Sequence, residues 1–238
     1  MGDSPLRRAI EDARKNAVTV TVYAADRTAA EDVRRLFGTR NTKVEHRRLP
    51  SDEPFLVVRN EAGFVGAVAL TAVNRVVSPS PPTLGTPPDE DVRALLSVFA
   101  DVEFASFDRH QLLVVSREIE NLAWRVGTGE LHTGFHAADA FRAQADGYER
   151  MAVETALDLH VYLHDPWRNP PKDGLTVHAE LGGEIGEFWF VLYDGGGDRS
   201  RTYALVAEER APNEFYGCWT YDAEHVESLI EYVRATDG

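Results

Sequence analysis

Two hydrophobic periods alternate along this chain, and the alternation restricts it to an α/β fold. Apolar residues spaced three and four apart mark helices, and runs of β-branched and aromatic residues mark strands. Ser4-Pro5 opens the first helix, with Leu6, Ile10, Ala13 and Ala17 on one stripe. A strand at 18–23 follows, then a helix burying Ala29, Ala30, Val33, Leu36 and Phe37. Asp26 can cap that helix, and Thr28-x-x-Glu31 is a rival capping box at the same start. Strands are expected at 43–47, 55–59 and 64–70, with Asn60-Glu61-Ala62-Gly63 turning the last two into a hairpin. Helices are expected at 92–99, 109–126 and 137–154, and strands at 159–163, 175–179, 188–193, 203–208 and 215–219. Asp222 caps a last helix whose stripe is Val226, Leu229, Ile230 and Val233. The pattern predicts mixed sheets flanked by helices.

Residues 78–90 carry Pro79, Pro81, Pro82, Pro87 and Pro88 and little to bury. They read as a linker or strap between an N-terminal α/β portion, 1–77, and a second portion, 91–238. An internal echo crosses this divide: 18–23 resembles 157–162, 42–46 resembles 175–179, and 55–70 resembles 189–207. Each half would then be a strand, a crossover, a strand and a hairpin, giving two pseudo-repeated β-rich halves. Chance likeness between alternating strands is the other reading.

The net charge of −14 argues against direct nucleic-acid binding, because DNA and RNA are polyanions and the basic clusters here are short. Lysine is confined to Lys15, Lys43 and Lys172, while arginine is plentiful. An acidic, lysine-poor surface suits a halophilic protein, since high salt screens carboxylate repulsion. A GC-rich genome gives the same bias. The single cysteine, Cys218, fits a reducing interior. No long apolar run predicts membrane insertion, and the N-terminus lacks the apolar core of a signal peptide. A cytoplasmic protein is expected.

Candidate chemistry is sparse, and neither catalytic nor metal-ligating residues are assigned. His132 and His136 stand four apart, a metal-binding spacing on a helix, but Gly134 separates them and no Glu follows the first. The loop Asp194-Gly-Gly-Gly-Asp198 lies between expected strands and reads as a hairpin turn rather than a phosphate loop. Ser116 and Cys218 sit in no nucleophile elbow. Arg117, Glu118, Glu120, Asn121 and Arg125 form the polar side of the long helix, either a solvated face or a partner contact. Aromatics adjoin glycines at Gly134-Phe135 and Tyr216-Gly217-x-Trp219, where small residues permit close approach of a ligand or another backbone.

Several segments together carry a family resemblance. They are Ser106-Phe107-x-x-x-Gln111, Arg117-Glu118-Ile119-Glu120-x-x-Ala123-Trp124 and Gly129-Glu-Leu131-x-x-Gly134-Phe135. Tyr148, Val161-Tyr162, Trp189-Phe-Val-x-Tyr-Asp194, Ala204-Leu-x-Ala-Glu208-Glu209 and Phe215-x-Gly217-x-Trp219-Thr220-x-Asp222 follow in order. The chain resembles the DICT sensory domain, named for diguanylate cyclases and two-component systems, in its stand-alone form from salt-loving archaea. His136 departs from the glutamine expected there. The resemblance implies signal sensing coupled to output proteins, and it brings no established ligand, cofactor or catalytic residue.

The expected function is therefore a non-enzymatic sensory protein that relays its state to signalling partners such as histidine kinases, with a homodimer as one arrangement. Its ligand would meet Trp124, His132, Phe135, Phe215 and Trp219. A ligand-free adaptor using Arg117, Glu120 and Arg125 is the alternative, and a small-molecule enzyme using His132 or His136 is the third. The cofactor is unknown.

Overall fold

The computed structural model describes residues 4–77, 83–87, 89–135, 137–168, 173–180 and 184–235. The chain opens with α1 (Pro5–Ala13), β1 (Val18–Ala24), α2 (Thr28–Phe37), β2 (Thr42–Arg48), β3 (Phe55–Asn60), β4 (Gly63–Ala69), α3 (Leu70–Val77) and α4 (Glu90–Val98). It continues through β5 (Phe104–Phe107), α5 (Arg109–Val126), β6 (Thr128–Phe135), α6 (Ala138–Arg142), α7 (Ala145–Glu154), β7 (Ala156–Leu163) and β8 (Leu175–His178). Last come α8 (Glu184–Glu187), β9 (Phe188–Tyr193), β10 (Tyr203–Ala211), β11 (Glu214–Thr220) and α9 (Ala223–Ala235).

Local chemistry sets most boundaries. The Ser4 hydroxyl accepts from the Arg7 amide at 3.3 Å and starts α1. Asp26 accepts from the Thr28 amide at 2.9 Å, and α2 begins at Thr28 itself, so the Thr28–Glu31 box does not form. Asp108 and Gln111 close a reciprocal capping box on α5, and Gly127, at φ +73°, ends it in the left-handed region.

Four segments differ from the sequence expectation. The expected helix at 137–154 breaks around Ala143–Gln144 into α6 and α7. Residues 70–77 form α3, packed against α4 and α5. Phe104–Phe107 pairs with β11 as β5. Thr128–Phe135 becomes a central strand, although Gly129, Glu130 and Gly134 are poor strand formers. Hydrogen bonding to β7 on one side and β9 on the other overrides that propensity.

The strands form two mixed sheets, ordered β2-β1-β3-β4 and β5-β11-β10-β9-β6-β7-β8. In the smaller, β1 runs parallel to β2 and antiparallel to β3, and β3 turns into β4. In the larger, β6 runs parallel to β7 and antiparallel to β9, and β9 pairs with β10. The two arrangements share one topology, with β6 in the place of β1. The echo in the sequence matched β1 with β7 instead, one strand away from the topological equivalent.

Period-two alternation gives the larger sheet two buried faces. Leu131, Phe135, Leu159, Val161, Trp189, Val191 and Leu205 face α5 and share a core with the smaller sheet. Tyr162, Phe188, Phe190, Leu192, Val206 and Cys218 face α1 and α9. Phe37 of α2 stacks on Phe99 at 3.9 Å and meets the Trp219 ring edge-on at 6.2 Å, joining the core between the sheets. Among the described residues, no helix is long and apolar enough to cross a membrane.

Candidate functional site

The long helix α5 buries its polar side. Ser116, Arg117, Glu118, Glu120 and Asn121 are all buried, Arg117 at 3% exposure and Glu120 at 1%. This corrects the reading of Arg117 and Glu120 as a partner-facing surface. Gln144 and Tyr148 of the α6–α7 region bond to them, and the stretch 83–87 bonds to the same helix at Asn121. A charge this deep must be paired, and each is. The Arg117 guanidinium donates to Glu120 and to the Gln144 side-chain oxygen. Glu120 also accepts from the Tyr148 hydroxyl, which lies 3.2 Å from the Thr133 hydroxyl of β6. Arg125 alone of the three proposed contact residues is exposed, in the last turn of α5.

Titration follows from this packing. Burial pulls the Arg117 pKa down, but Glu120 and Tyr148 together outweigh it and hold the guanidinium above its ordinary value. Burial, reinforced by Glu120, pushes Tyr148 well up. Burial also raises Glu118, against the opposing Asp89 amide, Arg125 and Arg93.

The stretch 83–87 is pinned to the same helix. The Gly85 amide donates to Asn121 Oδ1 at 2.6 Å, and the Asp89 amide to Glu118 at 3.4 Å. Between this strap, α5 and the α6–α7 junction lies a cleft of about 340 Å³. Leu84, Leu113 and Ala143 supply apolar wall, while Arg117, Gln144 and Arg150 supply hydrogen-bond donors and acceptors. Its size is that of a small-molecule pocket.

The aromatic residues expected to bind a ligand are not brought together. Phe135, Phe215 and Trp219 are core, at 3%, 2% and 1% exposure. Phe135 and Phe215 meet Trp189 from two sides at 6.2 and 6.0 Å, and Trp219 donates its indole N–H to the Leu96 carbonyl at 2.8 Å. The adjoining glycines serve packing. A Cβ on Gly134 would sit 2.3 Å from the Phe190 ring, and one on Gly217 would sit 2.1 Å from the Val206 carbonyl oxygen. Trp124 alone stays near the cleft, half-buried, with the Arg150 guanidinium 5.5 Å from its ring.

His132 lies on the opposite face of β6, fully buried between Glu130 and Tyr162. Burial, and then His160 and His178, push its pKa down to about 3, so it is neutral near pH 7. His136 lies outside the described residues.

No protein-family model matches this chain. No curated protein matches it either. Among solved structures it is similar to the polyphosphate kinase from Porphyromonas gingivalis, at 10% identity and a TM-score of 0.35. That likeness covers 98% of this chain and 48% of the kinase, so the chain spans about half that protein's length. It assigns no activity.

Sequence reasoning missed Gln144 and Arg150, whose place depends on the break between α6 and α7. It also missed the meaning of the polar run Ser116–Asn121.

Proposed function

We propose that this protein is a ligand-responsive regulatory protein that binds a small polar molecule in the cleft beneath the 83–87 strap and relays the bound state to a separate protein. The observation that carries this reading is the continuity of the cleft wall with the interior. Arg117 lines the cleft and is bonded through Glu120 and Tyr148 to Thr133 on the central strand. A molecule that competes for Gln144 or Arg117 changes a network that reaches both α7 and β6. Such a molecule shifts the protein only if it binds two states unequally, and the strap and the α6–α7 break are the elements that distinguish them.

The possible nucleophiles support a binding role over covalent catalysis. Ser116 Oγ accepts the Trp189 indole N–H at 3.0 Å, and the Cys218 thiol is buried, its pKa pushed up chiefly by burial. A thiol in that state is a poor nucleophile.

Thermal-shift measurement with a panel of small polar metabolites tests the reading, using wild type and Ala143→Trp. Ala143 is exposed on the cleft wall, so an indole fills the cleft without entering the core. A compound that raises the midpoint of wild type and leaves Ala143→Trp unmoved is the expected outcome. Equal responses in the two proteins would reject the cleft.

A further inference from the structure

We propose that Glu130, His132 and His160 form a binding site for one divalent transition-metal ion of the zinc, cobalt or nickel class. This departs from the expectation that no metal is held, and it is independent of the cleft on the other face of the sheet.

The site arises from a repeated tripeptide. Glu130-Leu-His132 on β6 and Asp158-Leu-His160 on β7 both read acid, leucine, histidine. Period two turns each acid and histidine to one face of the sheet and the leucine to the other. The strands are parallel, and their register sets Glu130 opposite Asp158 and His132 opposite His160. Two carboxylates and two imidazoles thus stand side by side on adjacent strands. One donor atom from each of Glu130, His132 and His160 lies within 4.8 Å of the others. Imidazole nitrogen with carboxylate oxygen is the donor set that suits these ions.

The surrounding groups orient the ligands. His132 Nε2 is 3.1 Å from Glu130 Oε2, and its Nδ1 is 3.0 Å from the Tyr162 hydroxyl. With the Nδ1 proton donated to Tyr162, the Nε2 lone pair points toward Glu130 and is available to an ion. His160 has a partner for each nitrogen, His178 at 3.0 Å from Nδ1 and Asp158 at 3.3 Å from Nε2. Whichever nitrogen binds, the other keeps a partner that fixes the ring. His178 itself is held against Tyr162, their rings stacked at 4.5 Å.

Two features say how the ion enters. The His132 and His160 rings stack 4.6 Å apart and within 8° of parallel, so their in-plane lone pairs run side by side. His160, at 19% side-chain exposure, is the ring that turns, while His132 at 0% stays fixed. Glu130 meanwhile pairs with the Arg234 guanidinium near the end of α9. A cation and Arg234 therefore compete for one carboxylate.

The test is a titration of chelator-stripped protein with Co²⁺, read by visible absorption and by native mass spectrometry, followed by displacement with Zn²⁺. One equivalent of Co²⁺ is expected, with ligand-field bands that Zn²⁺ removes. His160→Ala and the isosteric Glu130→Gln should each weaken binding by at least about tenfold, and Tyr162→Phe by about tenfold. Arg234→Gln should bind more tightly than wild type, since it removes the competitor for Glu130; a residue with a merely structural role would not give that sign, and unchanged affinity would reject the competition. His110→Ala, exposed on α5, is the control and should be unchanged. Absence of a saturable equivalent would overturn the proposal. So would wild-type affinity in Glu130→Gln and His160→Ala, with both variants showing the native circular dichroism spectrum.

Discussion

Tyr148 of α7 donates its phenolic hydrogen bond to Glu120 of α5, and both side chains are almost wholly buried, each at 1% exposure. That bond ties the cleft wall to the central strand, because Glu120 also holds Arg117 and Tyr148 also reaches Thr133. Loss of either residue should therefore be felt in stability, to different degrees. Glu120→Ala leaves a buried guanidinium without its carboxylate, a change that costs about 3–5 kcal/mol. Tyr148→Phe removes one donor and keeps the ion pair, costing about 1–3 kcal/mol. Urea unfolding of the two variants should show that order, and the reverse order would mean that the ion pair is not the anchor.

Asn121→Ala should loosen the strap without loosening the sheet. Its side chain accepts the Gly85 amide at 2.6 Å and reaches the Thr86 hydroxyl at 3.4 Å. The global cost should be about 1 kcal/mol. Amide hydrogen exchange is the direct readout: Gly85 should exchange faster, while β6 and β9 keep their protection.

Gly134→Ala should destabilise the fold, since its Cβ would sit 2.3 Å from the Phe190 ring. Overpacking of this kind costs about 1–3 kcal/mol. A neutral effect in thermal unfolding would mean that the space beside Gly134 is open, as a ligand site there would require.

Glu118 gives a pH dependence with a definite sign. Burial raises its folded pKa above the ordinary 4.5, so the folded state holds this proton more tightly than the unfolded state. Its contribution to stability is fully present below pH 4.5 and is lost as pH rises through the folded value. Glu118→Gln, always neutral, escapes that loss. The stability of the variant relative to wild type should therefore rise as pH climbs from 4.5 through the folded value and level off above it. Urea midpoints of both proteins, measured at matched pH, check the sign.

Much of the fold is legible in the sequence because period and capping are local. Helix α5 runs from Arg109 to Val126 as its apolar spacing predicts, and the hairpin at Asn60–Gly63 forms where the turn residues stand. The strand β6 is illegible for the opposite reason. Its residues Thr128, Gly129, Thr133 and Gly134 carry no strand period of their own, and pairing with β7 and β9 makes them one. The same missing strand displaced the internal repeat by one step. The polar run on α5 was visible, but a sequence does not say that α7 and residues 83–87 will pack against it. The acid-Leu-His pair was present as well, at 130–132 and 158–160, and only the register of β6 on β7 turns two tripeptides into one cluster.

Native mass spectrometry of the gently purified protein, compared with its denatured mass and with Ala143→Trp, tests the binding account most directly. The account expects wild type, incubated with a compound selected by thermal shift, to carry one added small molecule that denaturation releases, and Ala143→Trp to carry none. Identical spectra from the two proteins, with the molecule on both or on neither, would contradict a ligand cleft beneath the strap.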